Sequence, residues 1–262
     1  METVTRRLRI PEKFENFVFY NAIISIAIGV LSGMLFQSFY NWMDALKDNP
    51  DAKFSFSTNG ITFLGGLIGG VVTFLLIYFL YGRKKYGAYL IRLLPIAACC
   101  ILVAHGFGRL GCLFSGCCFG KPTDSFIGIV YPSGSNPAYA YPGTNGSQPL
   151  WPVPIMESLF LFATFGVCAY LTVMKKYKYS MNIYLIAYGV FRFFIEYIRG
   201  DDRGEITSGT DNLLSPSQVW SLVMIGLGIA MFIVMPYVIK KLKVDFNPKE
   251  EITSSEEISS EL

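Results

Sequence analysis

The chain has 262 residues, of which 52% are hydrophobic, 16% aromatic and only 16% charged. An ordinary soluble domain carries about 25% charged residues, so this composition excludes most soluble folds. The formal net charge of +3 is too small to indicate a nucleic-acid partner, and the sequence contains one histidine, His105. The composition therefore predicts a membrane protein.

Five segments are clearly apolar over the roughly 20 residues that a helix needs to cross a bilayer, and a sixth, Ala88–Phe107, is apolar apart from Arg92 and Pro95. In chain order they are Phe17–Trp42, Ile61–Tyr81, Ala88–Phe107, Pro152–Met174, Asn182–Ile198 and Val219–Ile239. Any one of them could be a buried core helix. Six of them, with no soluble domain left over, predict an all-α polytopic membrane protein, a six-helix transmembrane bundle with a cavity facing the outer leaflet.

Basic residues cluster before the first span and after the second, fourth and sixth spans. Because cytoplasmic loops carry an excess of Lys and Arg, both termini are expected in the cytoplasm. The expected organisation is a basic N-terminus over 1–16, a transmembrane domain over 17–240 and an acidic, serine-rich, disordered tail over 241–262. The stretch at about 108–150 is then the longest outward-facing loop.

Glycines spaced four residues apart allow membrane helices to approach closely. One such pair is Gly29 and Gly33, and two overlapping pairs lie in FLGGLIGG at residues 63–70. We expect these pairs to pack helices within one subunit, and the alternative is dimerisation.

The fifth span carries polar residues at helical spacing on one face, namely Tyr188, Arg192, Glu196 and Arg199. Ionisable residues inside a span are costly and mark functional sites by default. Arg192 and Glu196 can pair, Arg199 would remain available for an anion, and Glu157 lies within reach of this face. An ion pair that only holds the bundle together is the alternative. We favour a site for a phosphate-bearing headgroup, because guanidinium groups bind phosphate oxygens bidentately.

The segment HGFGRLGCLFSGCCFG, residues 105–120, places His105 one helical turn before Arg109. Its five glycines predict that the helix then breaks into a loop. Irregular backbone at membrane depth is tolerated only where protein covers it or it lines a water-filled cavity. We therefore expect this segment to form one wall of the cavity and the polar face of the fifth span to form the other.

Three of the six cysteines lie in this segment, at Cys112, Cys117 and Cys118. They could form a metal site with His105, although the spacing matches no common zinc pattern. They could also form a disulfide on an oxidising outer face. We favour packing or polar lining, in which a nucleophilic thiol ranks low, and expect neither metal nor cofactor.

The segments FLGGLIGG, GRLGCLFSGCCFG, YGVFRFFIEYIR and LSPSQVWSL resemble prolipoprotein diacylglyceryl transferases, with coverage from about residue 17 to 235. The resemblance implies a multi-pass enzyme of the bacterial inner membrane. Such an enzyme transfers the diacylglyceryl group of phosphatidylglycerol to the cysteine thiol of a lipoprotein precursor, and glycerol phosphate leaves.

The resemblance also implies roles for individual residues. Arg109 and Gly120 match the arginine and the closing glycine of the GRxGN signature, and PVPIME matches the segment that supplies the family's glutamate. The expected catalytic residues are His105, Arg109, Arg192 and Glu196. The expected substrate-binding residues are Tyr188, Arg199, Glu157, Cys112, Gly120, Gly65 and Gly66.

The chain also departs from the family pattern. Its first span resembles the family's second, and Gly33 stands where that span has an arginine. Leu64 replaces the histidine of the HGG motif, and Cys112 replaces the asparagine of GRxGN. His105 would then be the general base, because imidazole titrates in a suitable range. A neutral histidine hydrogen-bonded at a helix end is the alternative.

Three functional hypotheses follow. The first is diacylglyceryl transfer, with a lipoprotein thiol or another outer-leaflet group as acceptor. The second is a phospholipid-binding membrane protein without transfer, and the third is a redox or metal protein built on the cysteine segment. The sequence leaves the oligomeric state open.

Overall fold

The computed structural model describes residues 11–58, 60–87, 89–175, 177–201 and 214–242, with the backbone alone at Asp48, Phe63 and Leu64. Within these residues, six helices are long and apolar enough to cross a membrane. They are Glu12–Lys47, Gly65–Tyr86, Tyr89–Phe114, Val153–Met174, Ser180–Ile198 and Pro216–Lys241. The six predicted spans are confirmed. The predicted disordered tail, apart from residues 241 and 242, lies outside the described residues.

The helices, in chain order, are α1 (Glu12–Asp48), α2 (Phe63–Ile77), α3 (Arg83–Tyr86), α4 (Tyr89–Phe114), α5 (Asn136–Ala140), α6 (Val153–Met174), α7 (Ser180–Ile195) and α8 (Pro216–Lys241). A π-helical turn, Tyr78–Gly82, joins α2 to α3, and a 3-10 turn, Glu196–Ile198, follows α7. Two short antiparallel strands, β1 (Pro142–Gly143) and β2 (Gly146–Ser147), form a hairpin. The chain divides into two compact units, Met1–Leu90 and Ile91–Leu262.

In the first unit, α1 and α2 pack through their glycines. A Cβ added at Gly29 would lie 2.9 Å from the carbonyl oxygen of Gly66, and one at Gly33 would lie 2.6 Å from Ile61. The close approach lets Ser32 Oγ donate a hydrogen bond to the Gly65 carbonyl at 2.9 Å. The expectation that these glycines pack helices within one subunit is confirmed.

In the second unit, side chains from α4, α6 and α7 form a common apolar core. Leu102 of α4, Leu161 and Cys168 of α6, and Tyr184 and Tyr188 of α7 are its buried members. This core fixes the three helices that carry the polar residues of interest.

Helix α4 continues to Phe114 and includes Gly106, Gly108 and Gly111, so the expected break into a loop comes only at the last two glycines of the segment, Gly116 and Gly120. Each glycine costs a helix about 1 kcal/mol relative to alanine. In an apolar surrounding, breaking the helix would leave backbone groups without hydrogen bonds, and each such group costs more than a glycine does. The chain turns later, at Gly116 and Cys118, whose φ angles are +64° and +60°.

The long loop after α4 is irregular, as predicted, but it has a core of its own. Phe119, Tyr131 and Leu150 are buried together. Isolated bridges join Leu150 to Pro122 and Ile129, and a further bridge joins Gly120 to Arg199. These contacts hold the end of α4 and the end of α7 beside each other.

Candidate active site

The carboxylate of Glu157 lies at the centre of a cluster of arginines. Its side chain is fully buried, with 0% exposure. Arg109 Nε lies 3.0 Å from Oε2, Arg192 Nε lies 3.7 Å from Oε1, and Arg199 Nη1 lies 3.9 Å from Oε2. Buried charges are tolerated when they are paired, so one carboxylate from α6 holds together guanidinium groups that come from α4, α7 and the segment after α7.

Tyr188 connects the α4 arginine to this carboxylate. Arg109 Nη2 donates a hydrogen bond to the Tyr188 hydroxyl at 3.0 Å. The same hydroxyl donates to Glu157 Oε1 at 3.5 Å. Tyr188 therefore lies between two charged groups and fixes their separation.

Arg192 forms the pair that the helical spacing predicts. Its Nη2 lies 2.8 Å from Glu196 Oε2 and donates to Ser217 Oγ at 2.9 Å. Its Nη1 is buried and has no hydrogen-bond partner among the described residues. A buried guanidinium N–H without an acceptor is a candidate donor for a bound anion.

The N-terminus of α8 is tied to the same cluster. Ser215 caps α8 by accepting a hydrogen bond from the backbone N–H of Gln218, whose side chain bonds back to the Ser215 backbone. The Ser215 hydroxyl also donates to Glu196 Oε1 at 2.9 Å. The helices α6 and α8 begin here, and helix N-termini favour negative charge.

Arg199 follows the 3-10 turn in extended conformation. The sequence predicts that it stays available for an anion, but its Nε and Nη2 fork onto the carboxylate of Asp201 at 2.9 and 2.6 Å. Burial opposes its charged form, but the hydrogen bond and charge of Asp201, followed by Cys118, raise its pKa overall. An anion would have to compete with Asp201 for this guanidinium.

His105 lies beside the cluster and contacts it through tyrosines. Its Nδ1 is 3.3 Å from the Tyr184 hydroxyl. Its ring meets the ring of Tyr188 edge-on, with centroids 4.6 Å apart. The hydrogen bond resembles the alternative expected from the sequence, although the residue lies within α4 and not at its end. Tyr188 connects the imidazole to Glu157, because it contacts both groups.

The cysteine turn borders the cluster. Arg109 Nη1 donates weakly to Cys118 Sγ at 3.9 Å. The sulfur atoms of Cys112, Cys117 and Cys118 all lie within 4.8 Å of one another, and no disulfide joins them. The three cysteines are half-buried. The pKa of Tyr131 is raised by its burial and then by the charges of Cys117 and Cys118.

Gly120 allows two backbone segments to approach each other. A Cβ at this position would lie 2.5 Å from Trp151 Cβ and 3.0 Å from the Ile198 carbonyl oxygen. Its N–H donates to the Trp151 carbonyl at 3.1 Å. Gly120 therefore positions Arg199 through the backbone.

The glycines expected to bind substrate in the first unit make packing contacts. A Cβ at Gly65 would lie 2.5 Å from Phe36, and one at Gly66 would lie 3.3 Å from the Gly29 carbonyl. The side chain of Leu64 lies outside the described part of the chain, and the space beside Gly33 is filled by Ile61.

Four residues of the site were not singled out by the sequence. Tyr184 could have been found, because it lies one turn before Tyr188 on the polar face of the fifth span. Ser215 and Ser217 lie in the LSPSQVW segment, which carried the resemblance without a role. Asp201 follows the end of the helical pattern, and no spacing rule predicts its contact with Arg199.

A buried set of arginines and carboxylates within a bundle of apolar helices defines a membrane protein with a charged site inside its helix bundle. The chain belongs to the prolipoprotein diacylglyceryl transferase family, whose model matches residues 1–234. It is thus a transferase embedded in a membrane.

Several named relatives are similar over most of their length. Phosphatidylglycerol–prolipoprotein diacylglyceryl transferase 2 of Clostridium perfringens is 33% identical over 231 residues, covering 87% of this chain and 81% of the relative. The corresponding transferase of Clostridium tetani is 33% identical over 219 residues, covering 83% and 80%. That of Francisella tularensis is 30% identical over 239 residues, covering 89% and 80%.

Proposed function

We propose that this protein transfers the diacylglyceryl group of phosphatidylglycerol to the cysteine thiol of a lipoprotein precursor. The observation that carries the proposal is the buried cluster in which Glu157 gathers Arg109, Arg192 and Arg199, with the Arg192 Nη1 donor left without a partner in the described chain. The relatives named for this reaction support it. The reaction would take place at the outer leaflet of the bacterial inner membrane, with both termini in the cytoplasm.

The charge change of the reaction suits this cluster. The phosphodiester of phosphatidylglycerol carries one negative charge, and the glycerol phosphate that leaves gains a second as the C–O bond breaks. Donors that already point at the leaving group bind the transition state more tightly than the substrate. Arg192 and Arg109 would supply these donors, and the N-termini of α6 and α8 would favour the same charge.

Glu157 and Glu196 would keep the guanidinium groups in place before the lipid arrives. Three arginines face Glu157, Glu196 and Asp201, so the described cluster is close to neutral without a ligand. A phosphate would compete with Glu196 for the Arg192 guanidinium, and Glu196 would retain the Ser215 hydroxyl as a partner. The carboxylates would thus offset the desolvation cost of the buried arginines. The bound phosphate would then replace part of their contacts with the guanidinium groups.

The bond changes balance without a cofactor. The acceptor thiol loses its proton, its sulfur attacks the glycerol carbon attached to the phosphate oxygen, and a C–S bond replaces the C–O bond. The electron pair of the C–O bond leaves on glycerol phosphate. We assign the proton to His105, which lies one turn from Arg109 on α4 and is oriented by Tyr184.

Proteoliposomes that contain the full chain and phosphatidylglycerol test the proposal. A peptide with a lipoprotein cysteine should gain the diacylglyceryl mass while glycerol phosphate is released in equal amount. The matched peptide with serine in place of cysteine should remain unmodified. The Arg192→Ala variant should lose turnover, whereas Arg83→Ala, an exposed arginine of the first unit, should not.

Two other results would each indicate a different function. Release of glycerol phosphate without modification of the peptide would indicate another acceptor. Binding of phosphatidylglycerol with no release under any condition would indicate a lipid-binding protein, which the loss of the family histidine at Leu64 makes a specific alternative.

A further inference from the structure

The thiols of the cysteine turn converge although they are spread over seven residues. Cys112 lies in the last turn of α4, and its carbonyl accepts a hydrogen bond from the Cys117 N–H at 3.0 Å. The three sulfur atoms lie within 4.8 Å of one another. The transfer reaction uses none of them, so the cluster needs a separate explanation.

The backbone at Cys118 adopts an unusual conformation that brings about this convergence. Its φ angle is +60°, the one positive value among the described residues other than glycine. Non-glycine residues hold such a conformation at a cost of about 1–3 kcal/mol, and they cluster at functional sites. The side chains of two adjacent residues normally point in different directions. The left-handed conformation at Cys118 lets the sulfur atoms of Cys117 and Cys118 lie on the same side of the turn.

A buried hydroxyl lies in the core next to the cysteine turn. Tyr131 is 5% exposed, packs with Phe119, the residue after Cys118, and interacts electrostatically with Cys117 and Cys118. Its hydroxyl forms no hydrogen bond within the described residues. Buried hydroxyls nearly always have a partner, so this one indicates a group that completes the site.

Hydrogen-bond donors surround the sulfur atoms. Ser115 Oγ lies 3.2 Å from Cys117 Sγ, and Arg109 Nη1 lies 3.9 Å from Cys118 Sγ. Arg199 also interacts electrostatically with Cys118. Donors of this kind are typical of the groups that surround the ligands of a metal centre.

We propose that Cys112, Cys117 and Cys118 bind a thiophilic cation, best matched by Zn²⁺, through three thiolates, with the fourth position beside the Tyr131 hydroxyl. Tetrahedral zinc with Zn–S bonds of about 2.3 Å requires sulfur atoms about 3.8 Å apart. The observed separations need to shorten by about 1 Å at most. A disulfide would join only two of the sulfur atoms and leave the third, as well as Tyr131, unexplained.

The charges of such a centre fit their surroundings. Three thiolates and one divalent cation carry a net charge of −1, and the Arg109 guanidinium lies at its border, with Nη1 3.9 Å from Cys118 Sγ. The cation would fasten the end of α4 to the turn that pairs with the backbone at Gly200, where the Gly200 N–H donates to the Phe119 carbonyl at 3.0 Å. It would thereby hold Arg109 and Arg199 in place and take no part in the transfer itself.

The spacing that includes His105 matches no common zinc pattern. The structure places that histidine against Tyr184 and Tyr188 instead. The proposed centre uses the cysteines alone, and it stands whether or not the transfer reaction does.

The test uses the full chain purified in detergent, stripped with a chelator under reducing conditions and titrated with Zn²⁺ alone. One equivalent should bind, and Co²⁺ in its place should give thiolate-to-metal charge-transfer absorption. Cys117→Ser and Cys118→Ser should each abolish stoichiometric binding. Cys100→Ser, an exposed cysteine of α4 outside the cluster, should bind as the native chain does.

A variant that preserves all three thiols guards against misfolding as the cause. Tyr131→Phe should keep one equivalent of Zn²⁺ but bind it about tenfold more weakly, as expected for groups that surround metal ligands. No binding by the native chain above the level of the variant lacking all three thiols would overturn the proposal. So would a mass that shows a disulfide among them in protein purified without reductant.

Discussion

The α1–α2 contact of the first unit and the arginine cluster of the second unit stabilise the protein in opposite ways. The contact is made by residues without side chains, where Gly29 and Gly66 bring two backbones together. The cluster is made by some of the largest side chains, whose charges are buried around Glu157. The first depends on shape and the second on charge balance, so the two should respond differently to substitution.

The largest effect is expected at Glu157, because its removal leaves three guanidinium groups without their shared partner. Glu157→Gln, which keeps the shape, should destabilise the protein by about 3–5 kcal/mol. Thermal unfolding in detergent measures this. Asp44→Asn breaks an exposed pair with Lys47 and should change stability by less than about 0.5 kcal/mol. Equal stability of the Glu157→Gln variant and the native chain would show that the cluster is not held by charge.

A change at His105 tests whether proton transfer and lipid binding are carried out by different residues of the site. If imidazole accepts the thiol proton, His105→Gln should lower turnover by about 10²- to 10⁴-fold. Affinity for phosphatidylglycerol, measured by lipid binding, should be unchanged because the arginines are intact. Tyr184→Phe removes only the hydroxyl near Nδ1 and should cause a smaller loss. Full turnover in His105→Gln would assign the proton to another acceptor.

The glycine contact should be sensitive to volume and insensitive to charge. Gly29→Val would drive a side chain into the Gly66 carbonyl and should cost about 1–3 kcal/mol. Gly166→Ala on α6 meets no atom within 4 Å and should stabilise its helix by up to about 1 kcal/mol. If thermal unfolding shows the same shift for both, the close approach of α1 and α2 contributes nothing.

The smallest effect is expected at the cap of α8. Ser215→Ala removes the capping hydrogen bond and the contact with Glu196 and should cost about 1 kcal/mol. The exposed Ser133 of the long loop after α4 is the matched control, and Ser133→Ala should leave the unfolding temperature unchanged. Equal unfolding temperatures of the Ser215→Ala and Ser133→Ala variants would show that the cap of α8 does not stabilise the cluster.

The predictability of the two regions follows the same division. Residues four apart lie on the same face of a helix, so the paired glycines predicted the α1–α2 contact from the sequence alone. The same spacing predicted the pair of Arg192 and Glu196. The contacts of Arg199 with Asp201 and of Arg192 with Ser217 depend on where the chain turns after α7 and on where α8 begins. Periodicity carries no information about either.

The continuation of α4 to Phe114 could not be predicted from glycine content either. The cost of glycine in a helix is local and small, whereas the cost of unpaired backbone depends on the surroundings. The convergence of Cys112, Cys117 and Cys118 required the positive φ angle at Cys118, a conformation that a sequence suggests only where glycine or asparagine stands.

The most direct test of the cluster's role is the steady-state release of glycerol phosphate by Arg192→Lys, with kcat and KM measured separately. Lysine keeps the charge but lacks the forked donors, one of which, Nη1, has no partner in the described chain. A donor that acts on the charge of the leaving group predicts a fall in kcat of about 10²- to 10³-fold with little change in KM. A raised KM with native kcat would contradict this account, because Arg192 would then bind the lipid without stabilising the reaction.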